Sequence, residues 1–120
     1  MDILKDILQI VAGLGLMNVW LLRFNRHTTY RGGSATSMKE EFATYGLSAS
    51  FMKLVGFLKL SSAAGLILGV VYPVLVTPFA VLLVLLMLGA LAMHLKIKDP
   101  ISKSIPAMTM LVISVLILAL

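Results

Sequence analysis

In the run Val55-Gly56-Phe57-Leu58-Lys59-Leu60, Lys59 sets an ammonium group inside an otherwise apolar stretch. An unpaired charge in hydrocarbon costs at least ~2.5 kcal/mol on insertion scales, so such a residue marks a candidate functional site. Two roles are open to it. Lys59 lies six residues beyond Lys53, about 9 Å of helix rise, and helical side chains tilt toward the N-terminus, so it can snorkel back to that end. Alternatively it is charged and paired inside the protein, where Glu41 or Glu40 is the expected partner and the pair can serve a ligand or a partner protein. The two acids are adjacent and point about 100° apart on a helix, so they cannot form a facing acid–base dyad. One is expected to complete a helix cap, and Glu41 to answer Lys59 or Arg31. His94 fits an interfacial hydrogen-bonding residue, and no second histidine stands at ligand spacing, so no metal site is expected. With no cysteine, disulfides, thiolate metal sites and thiol redox chemistry are excluded. The chain carries no nucleophile–base pair, haem-ligand pair or nucleotide motif, and no catalytic residue is assigned.

These residues must be positioned by elements that live in lipid. The 120 residues are 60% hydrophobic and 12% charged, with a mean hydropathy of +1.05, far from the mixture of a soluble domain. A spanning helix needs about 20 mostly apolar residues, and four segments qualify: 3–22, 49–72, 78–95 and 101–120. Ser48 is an expected N-cap of the second, Thr77 with Pro78 opens the third, and Asp99-Pro100 opens the fourth. Pro106 either kinks the fourth span or marks the start of a shorter one. The reading is one all-α domain over 1–120, a polytopic membrane four-helix bundle with a short amphipathic helix in its first linker.

That linker helix is expected over 35–45. Ala35, Met38, Phe42 and Tyr45 fall on one helical face, Ser37-Met38-Lys39-Glu40 fits a capping box, and Gly46 supplies a stop. It lies either on the membrane surface or across the mouth of the bundle, after a tight turn at Tyr30-Arg31-Gly32-Gly33. Within the second span, Ser61, Gly65 and Gly69 form a small-residue stripe that permits close helix approach. Its partner is another helix of the bundle or a second copy in a homodimer.

Arg23, Arg26, Arg31, Lys39, Lys53, Lys96, Lys98 and Lys103 flank the two polar linkers, and only Lys5 lies on the other side. The positive-inside rule then puts both linkers in the cytoplasm and both termini outside, in a plasma or inner membrane. Because the net charge of +5 is distributed as an orientation signal, nucleic acid is not an expected partner. The first residues, with two acids against Lys5, read as a retained span rather than a cleaved secretory signal.

Several of these stretches carry a resemblance. Tyr30-Arg31-Gly32-Gly33, Glu40-Glu41-Phe42-x-x-Tyr45-Gly46, Val55-Gly56-Phe57-Leu58-Lys59-Leu60 and His94-x-x-x-x-Asp99-Pro100 together resemble the DoxX-like family of small four-helix membrane proteins. The resemblance implies the bundle and a scattered set of roles: a subunit linked to thiosulfate–quinone oxidoreduction, proteins of oxidative-stress complexes, and an assembly chaperone for nicotinic receptors. Several relatives have a carboxylate in the second span where this chain has Lys59.

On this topology Lys59, His94, Glu40, Glu41, Arg23, Arg31 and Tyr45 converge at the cytoplasmic mouth, with Asn18 and Trp20 close by. The expected function is a membrane accessory or binding protein that holds a lipophilic or amphiphilic molecule, quinone-like or lipid-like, or a partner membrane protein. The alternative is a quinone-linked or redox subunit of a membrane enzyme.

Overall fold

Asp2 starts the first helix by accepting the N–H groups of Leu4 (2.9 Å) and Lys5 (3.4 Å) on its carboxylate, so two of the donors that every helix start leaves free are satisfied. The computed structural model describes residues 2–120. Helix α1 runs over Ile3–Met17 and continues as one π turn over Asn18–Leu22. A short α2 (Met38–Thr44) follows, then three long helices: α3 (Ala49–Leu68), α4 (Val76–Lys96) and α5 (Ile105–Ala119). No strand occurs among the described residues. Four helical segments, Ile3–Leu22, Ala49–Leu68, Pro73–Lys96 and Ile101–Ala119, are long and apolar enough to cross a membrane.

The spans close into a ring: α1 packs on α3 and α5, and α4 fills the far side between α3 and α5. The long axis of 43 Å matches the ~40–45 Å of a bilayer with its headgroup regions. Large apolar side chains such as Leu14, Phe57, Leu85 and Val112 point outward, as they must where the surrounding medium is hydrocarbon.

Two expected helix starts and one expected end differ from those observed. The third span begins at Val76 with Leu75 as its N-cap, after a 3-10 turn over Pro73–Leu75. Thr77 and Pro78 therefore sit inside the first turn, where a missing proline N–H costs nothing because it has no intrahelical acceptor. Asp99 does not cap the fourth span. Pro100 precedes a 3-10 turn over Ile101–Ser104, and Pro106 stands in the first turn of α5, so the shorter-helix alternative is the observed one. The second span stops at Leu68 and its chain turns through Gly69 to Tyr72.

The small-residue stripe is used inside the bundle. A Cβ on Gly65 would collide with the Phe79 ring of α4, and one on Gly69 would come within 2.8 Å of Val76 Cγ2 and 3.2 Å of Gln9 Nε2. Both glycines are buried and Ser61 is partly exposed, so within the chain the two glycines meet α4 and α1, as the alternative of a partner helix in the same bundle expects.

Candidate functional site at the linker end of the bundle

The π turn closing α1 is where the site begins. Its i→i+5 bond, Arg23 N–H to Asn18 O at 3.0 Å, inserts an extra residue into the turn and re-aims the side chains on it, and such turns concentrate at functional positions. Trp20 is carried into the bundle and left 7% exposed. Its indole lies against Gly56 of α3, where any Cβ would fall 2.6 Å from Cζ3 and 2.8 Å from Cε3. Only glycine admits the ring there. Three residues on, and so on the same helical face, Lys59 holds its Nζ 5.4 Å from the centre of that ring, within the ~6 Å reach of a cation–π contact. The edge of the indole pressed on α3 is the one opposite Nε1, which is therefore turned away from α3. Nε1 is buried and has no hydrogen-bond partner. An unmet buried donor costs about 1–3 kcal/mol.

Trp20 and Lys59 border a cavity of about 530 Å³. Its apolar wall comes from Gly15 and Leu16 of α1, Met87 of α4 and Met110 of α5, and its polar wall from Asn18, Arg23, Arg31, Glu41, His94 and Lys103. A second cavity of about 330 Å³ lies on the other side of Lys59, with Phe42, Tyr45, Phe51 and Leu85 among its lining residues. Glu41, Lys59, Ala90 and His94 border both.

The floor above these cavities is the first linker, and Arg31 is its centre. It is 4% exposed. Its guanidinium donates to the carbonyls of Arg23, Phe24 (3.2 Å) and Arg26 (3.1 Å), all just past the end of the first span. A cation here satisfies the free carbonyls of a helix terminus and complements its dipole. Arg31, expected as a ligand contact, thus borders the cavity but has its donors engaged. Glu41 accepts the Gly32 N–H at 2.9 Å and lies 3.9 Å from Arg31. The expected pairing of Lys59 with a glutamate is therefore not what the structure contains. Glu41 is taken by groups of its own linker, and Glu40 faces outward, accepting from Thr36 (2.5 Å) and Ser37. The Thr36 hydroxyl holds the Glu40 carboxyl below the usual carboxylate range. Glu40 borders neither cavity.

Helix α2 sits on the bundle mouth, not apart from it. Ser37 Oγ accepts the Glu40 N–H at 3.2 Å, and Met38 and Phe42 pack with Trp20 and Met52. The helix ends in a Schellman turn, with Gly46 N–H to Ala43 O and Leu47 N–H to Phe42 O, which needs the left-handed φ of +80° that Gly46 supplies. Ala35 joins the buried face although it precedes the helix. Tyr45 is buried, its ring edge-on to His94 at 6.0 Å. Burial and the nearby Glu41 charge push its phenol well above the ordinary range, so it is a neutral wall of the smaller cavity.

The end of α4 makes the second polar group. Its Schellman turn, Lys98 N–H to Leu95 O and Asp99 N–H to His94 O, folds Asp99 back so that His94 Nδ1 donates to its Oδ2 at 2.7 Å. Asp99 Oδ1 accepts the Gly33 N–H at 3.0 Å, and Lys103 Nζ donates to the Gly33 carbonyl. The linker, α4 and α5 are thereby joined through one glycine. Burial pushes the Asp99 carboxyl up, but the His94 and Gly33 hydrogen bonds with the His94 and Lys103 charges outweigh it and hold the group below its usual range.

Lys59, His94, Glu41, Arg23, Arg31, Asn18 and Trp20 are thus gathered around the larger cavity, Tyr45 around the smaller, and Glu40 stands outside both. Gly56, Asp99 and Lys103 belong to the arrangement although the sequence marks none of them as a site residue. Gly56 stands in the Val55-to-Leu60 run, Asp99 reads as a helix start five residues after His94, and Lys103 reads as an orientation charge. Among the described residues no three His, Asp or Glu side chains converge to hold a metal ion.

Four apolar spans closed by a polar linker over a donor-lined cavity define a small polytopic helical membrane protein. The chain belongs to the DoxX-like family, whose model matches residues 32–117. The match takes in α2 to α5 and leaves Trp20 and its π turn outside. Neither the curated proteins nor the solved structures yield a match to the chain.

Proposed function

We propose that this protein is a membrane binding protein that takes an amphiphilic molecule from the bilayer into the larger cavity. Lys59, Trp20, Asn18 and Arg23 supply the polar contacts, and Gly15, Leu16, Met87 and Met110 line the place of its apolar part. The observation that carries this reading is the buried Nε1 of Trp20, a donor without an acceptor in a residue that borders a 530 Å³ cavity. A ligand oxygen is the economical way to satisfy it, since buried polar groups are otherwise almost always paired. The distribution of Lys and Arg supports a topology with both linkers in the cytoplasm and both termini outside, so the ligand enters from the cytoplasmic leaflet.

The chain has one tryptophan, so its emission reports on this cavity alone. Native mass spectrometry of gently extracted protein is expected to show a retained lipophile at one per chain, and stripping it should shift the Trp20 emission. A stoichiometric partner protein with no lipophile would instead make the chain an assembly factor. A retained quinone that undergoes reduction would make it a redox subunit.

A further inference from the structure

Resting on that reading, we infer that the larger cavity selects an amphiphile with an anionic headgroup, a phosphate or a carboxylate, with Lys59 Nζ as counter-charge and Trp20 Nε1 as neutral donor. The charge inventory of the wall is one-sided. Arg23, Arg31, Lys59 and Lys103 border the cavity against a single acid, Glu41. That acid is already engaged by the Gly32 N–H and by Arg31. Arg31 is engaged in turn by three backbone carbonyls, and Lys103 by the Gly33 carbonyl.

Among the charged groups of the wall, those whose side chains are left without a partner are two cations, Lys59 and Arg23, and no acid. Among the described residues Lys59 makes no hydrogen bond or ion pair, and its contact is the face of Trp20. An ammonium inside a span is kept only where something answers it, and the ring face answers the charge without accepting any of its three N–H groups. Trp20 Nε1 is a donor only and is likewise unmet. Arg23 stands at the exposed rim with no side-chain partner. A headgroup that accepts several hydrogen bonds and carries negative charge satisfies all three at once, and charge-assisted bonds are the stronger kind. A neutral hydroxyl headgroup can also accept from these donors, but it brings no charge to answer Lys59 and Arg23. Basic pockets between spans on the cytoplasmic side are suited to anionic lipid headgroups, which that leaflet supplies.

The test uses the full chain, stripped of lipid in a neutral maltoside detergent, with Trp20 emission as readout. The probes are lysophosphatidic acid, oleate, mono-oleoylglycerol and inorganic phosphate. The two anionic amphiphiles should bind saturably and compete, each at least about tenfold more tightly than mono-oleoylglycerol. Lys59→Met should remove that preference and Lys59→Arg should keep it, with melting curves showing both variants folded. If Lys59→Met does not fold, Trp20→Phe, followed by native mass spectrometry, should weaken both anionic probes. Equal binding of the neutral and anionic amphiphiles, unchanged in Lys59→Met, would overturn the anionic headgroup and leave the amphiphile site standing. A response to inorganic phosphate alone would overturn the lipid source of the anion. Binding of no probe would overturn both this inference and the function beneath it.

Discussion

The two ends of the bundle are built from the same four helices by opposite means. At the end holding Gln9, Gly69, Phe79 and Ile117 the helices meet through small residues. A Cβ on Gly13 would fall 3.0 Å from the Ala63 carbonyl, and Leu83 and Ile117 are completely buried. Among the described residues one side-chain hydrogen bond joins two helices at that end: Gln9 Nε2 donates at 2.8 Å to the Leu66 carbonyl, which the end of α3 leaves without a helical partner. At the linker end two cavities, of about 530 and 330 Å³, lie among the helices and the linker. There polar bridges through Arg31 and Asp99 join the chain beside the Trp20, Met38, Phe42 and Met52 cluster. The difference separates a dense end that fixes the fold from an open end that, in the function proposed above, turns its unmet donors to a ligand.

The sharpest way to break this division is to disturb the dense end. In Gly65→Leu the new side chain must enter the space of the Phe79 ring, and overpacking of a filled interior costs ~1–3 kcal/mol, occasionally more. A loss at the top of that range, read as thermal unfolding in one fixed detergent, is expected. A fully stable variant would show that the two ends do not differ as argued. Gly56→Leu probes the open end. Its side chain displaces Trp20 from α3, so the emission should shift and amphiphile binding should fall at least about tenfold. The melting temperature should fall less than in Gly65→Leu, because the displaced ring has cavity beside it.

How much of this was legible in the sequence follows the same division. The spans and the caps at Ser37, Ser48 and Gly46 depend on local pattern, which a sequence displays. Lys59, His94 and Trp20 stood out as polar or amphipathic groups in apolar surroundings. Glu41 was legible as the answer to either Lys59 or Arg31, but which of the two it meets was not, because the path of the linker settles it. Arg31 caps the first span only because residues 23–30 fold back over it, and that capping takes Glu41 away from Lys59. Gln9 passed unnoticed as one amide in an apolar run, and its acceptor lies 57 positions away. The π turn at Asn18–Leu22 has no pattern that distinguishes it from the α-helix it extends.

Asp99 sharpens the comparison from the polar side. Asp99→Ala leaves the Gly33 N–H and His94 Nδ1 unpaired, and ~1–3 kcal/mol of stability should be lost. The sign with pH follows from the depressed carboxyl. Its contribution is complete above the unfolded value of about 3.9 and is lost as pH falls through the lower folded value. The gap in melting temperature between wild type and Asp99→Asn should persist at neutral pH and shrink below about pH 4. A gap that closes at higher pH would mean that the carboxylate is not held by these partners.

The smallest effect is expected at Lys98, the one described non-glycine residue with left-handed backbone, at φ 57°. Position C′ of a Schellman turn favours glycine because a Cβ there crowds the following carbonyl, at a cost of about 1–2 kcal/mol. At Gly46 the chain uses glycine for the same turn, and at Lys98 it does not. The turn at Lys98 is the one that carries Asp99 back to His94, so its strain is borne where the polar bridge is made. Lys98→Gly removes the steric term but adds freedom to the unfolded chain, and a net gain of ~0.5–1 kcal/mol is expected. If the bridge sets the turn, the His94–Asp99 contact survives in the variant, and the gain adds to the loss in Asp99→Ala less than independently. Strict additivity would mean that turn and bridge are separate devices, and the open end would then be held by fewer coupled parts than its geometry implies.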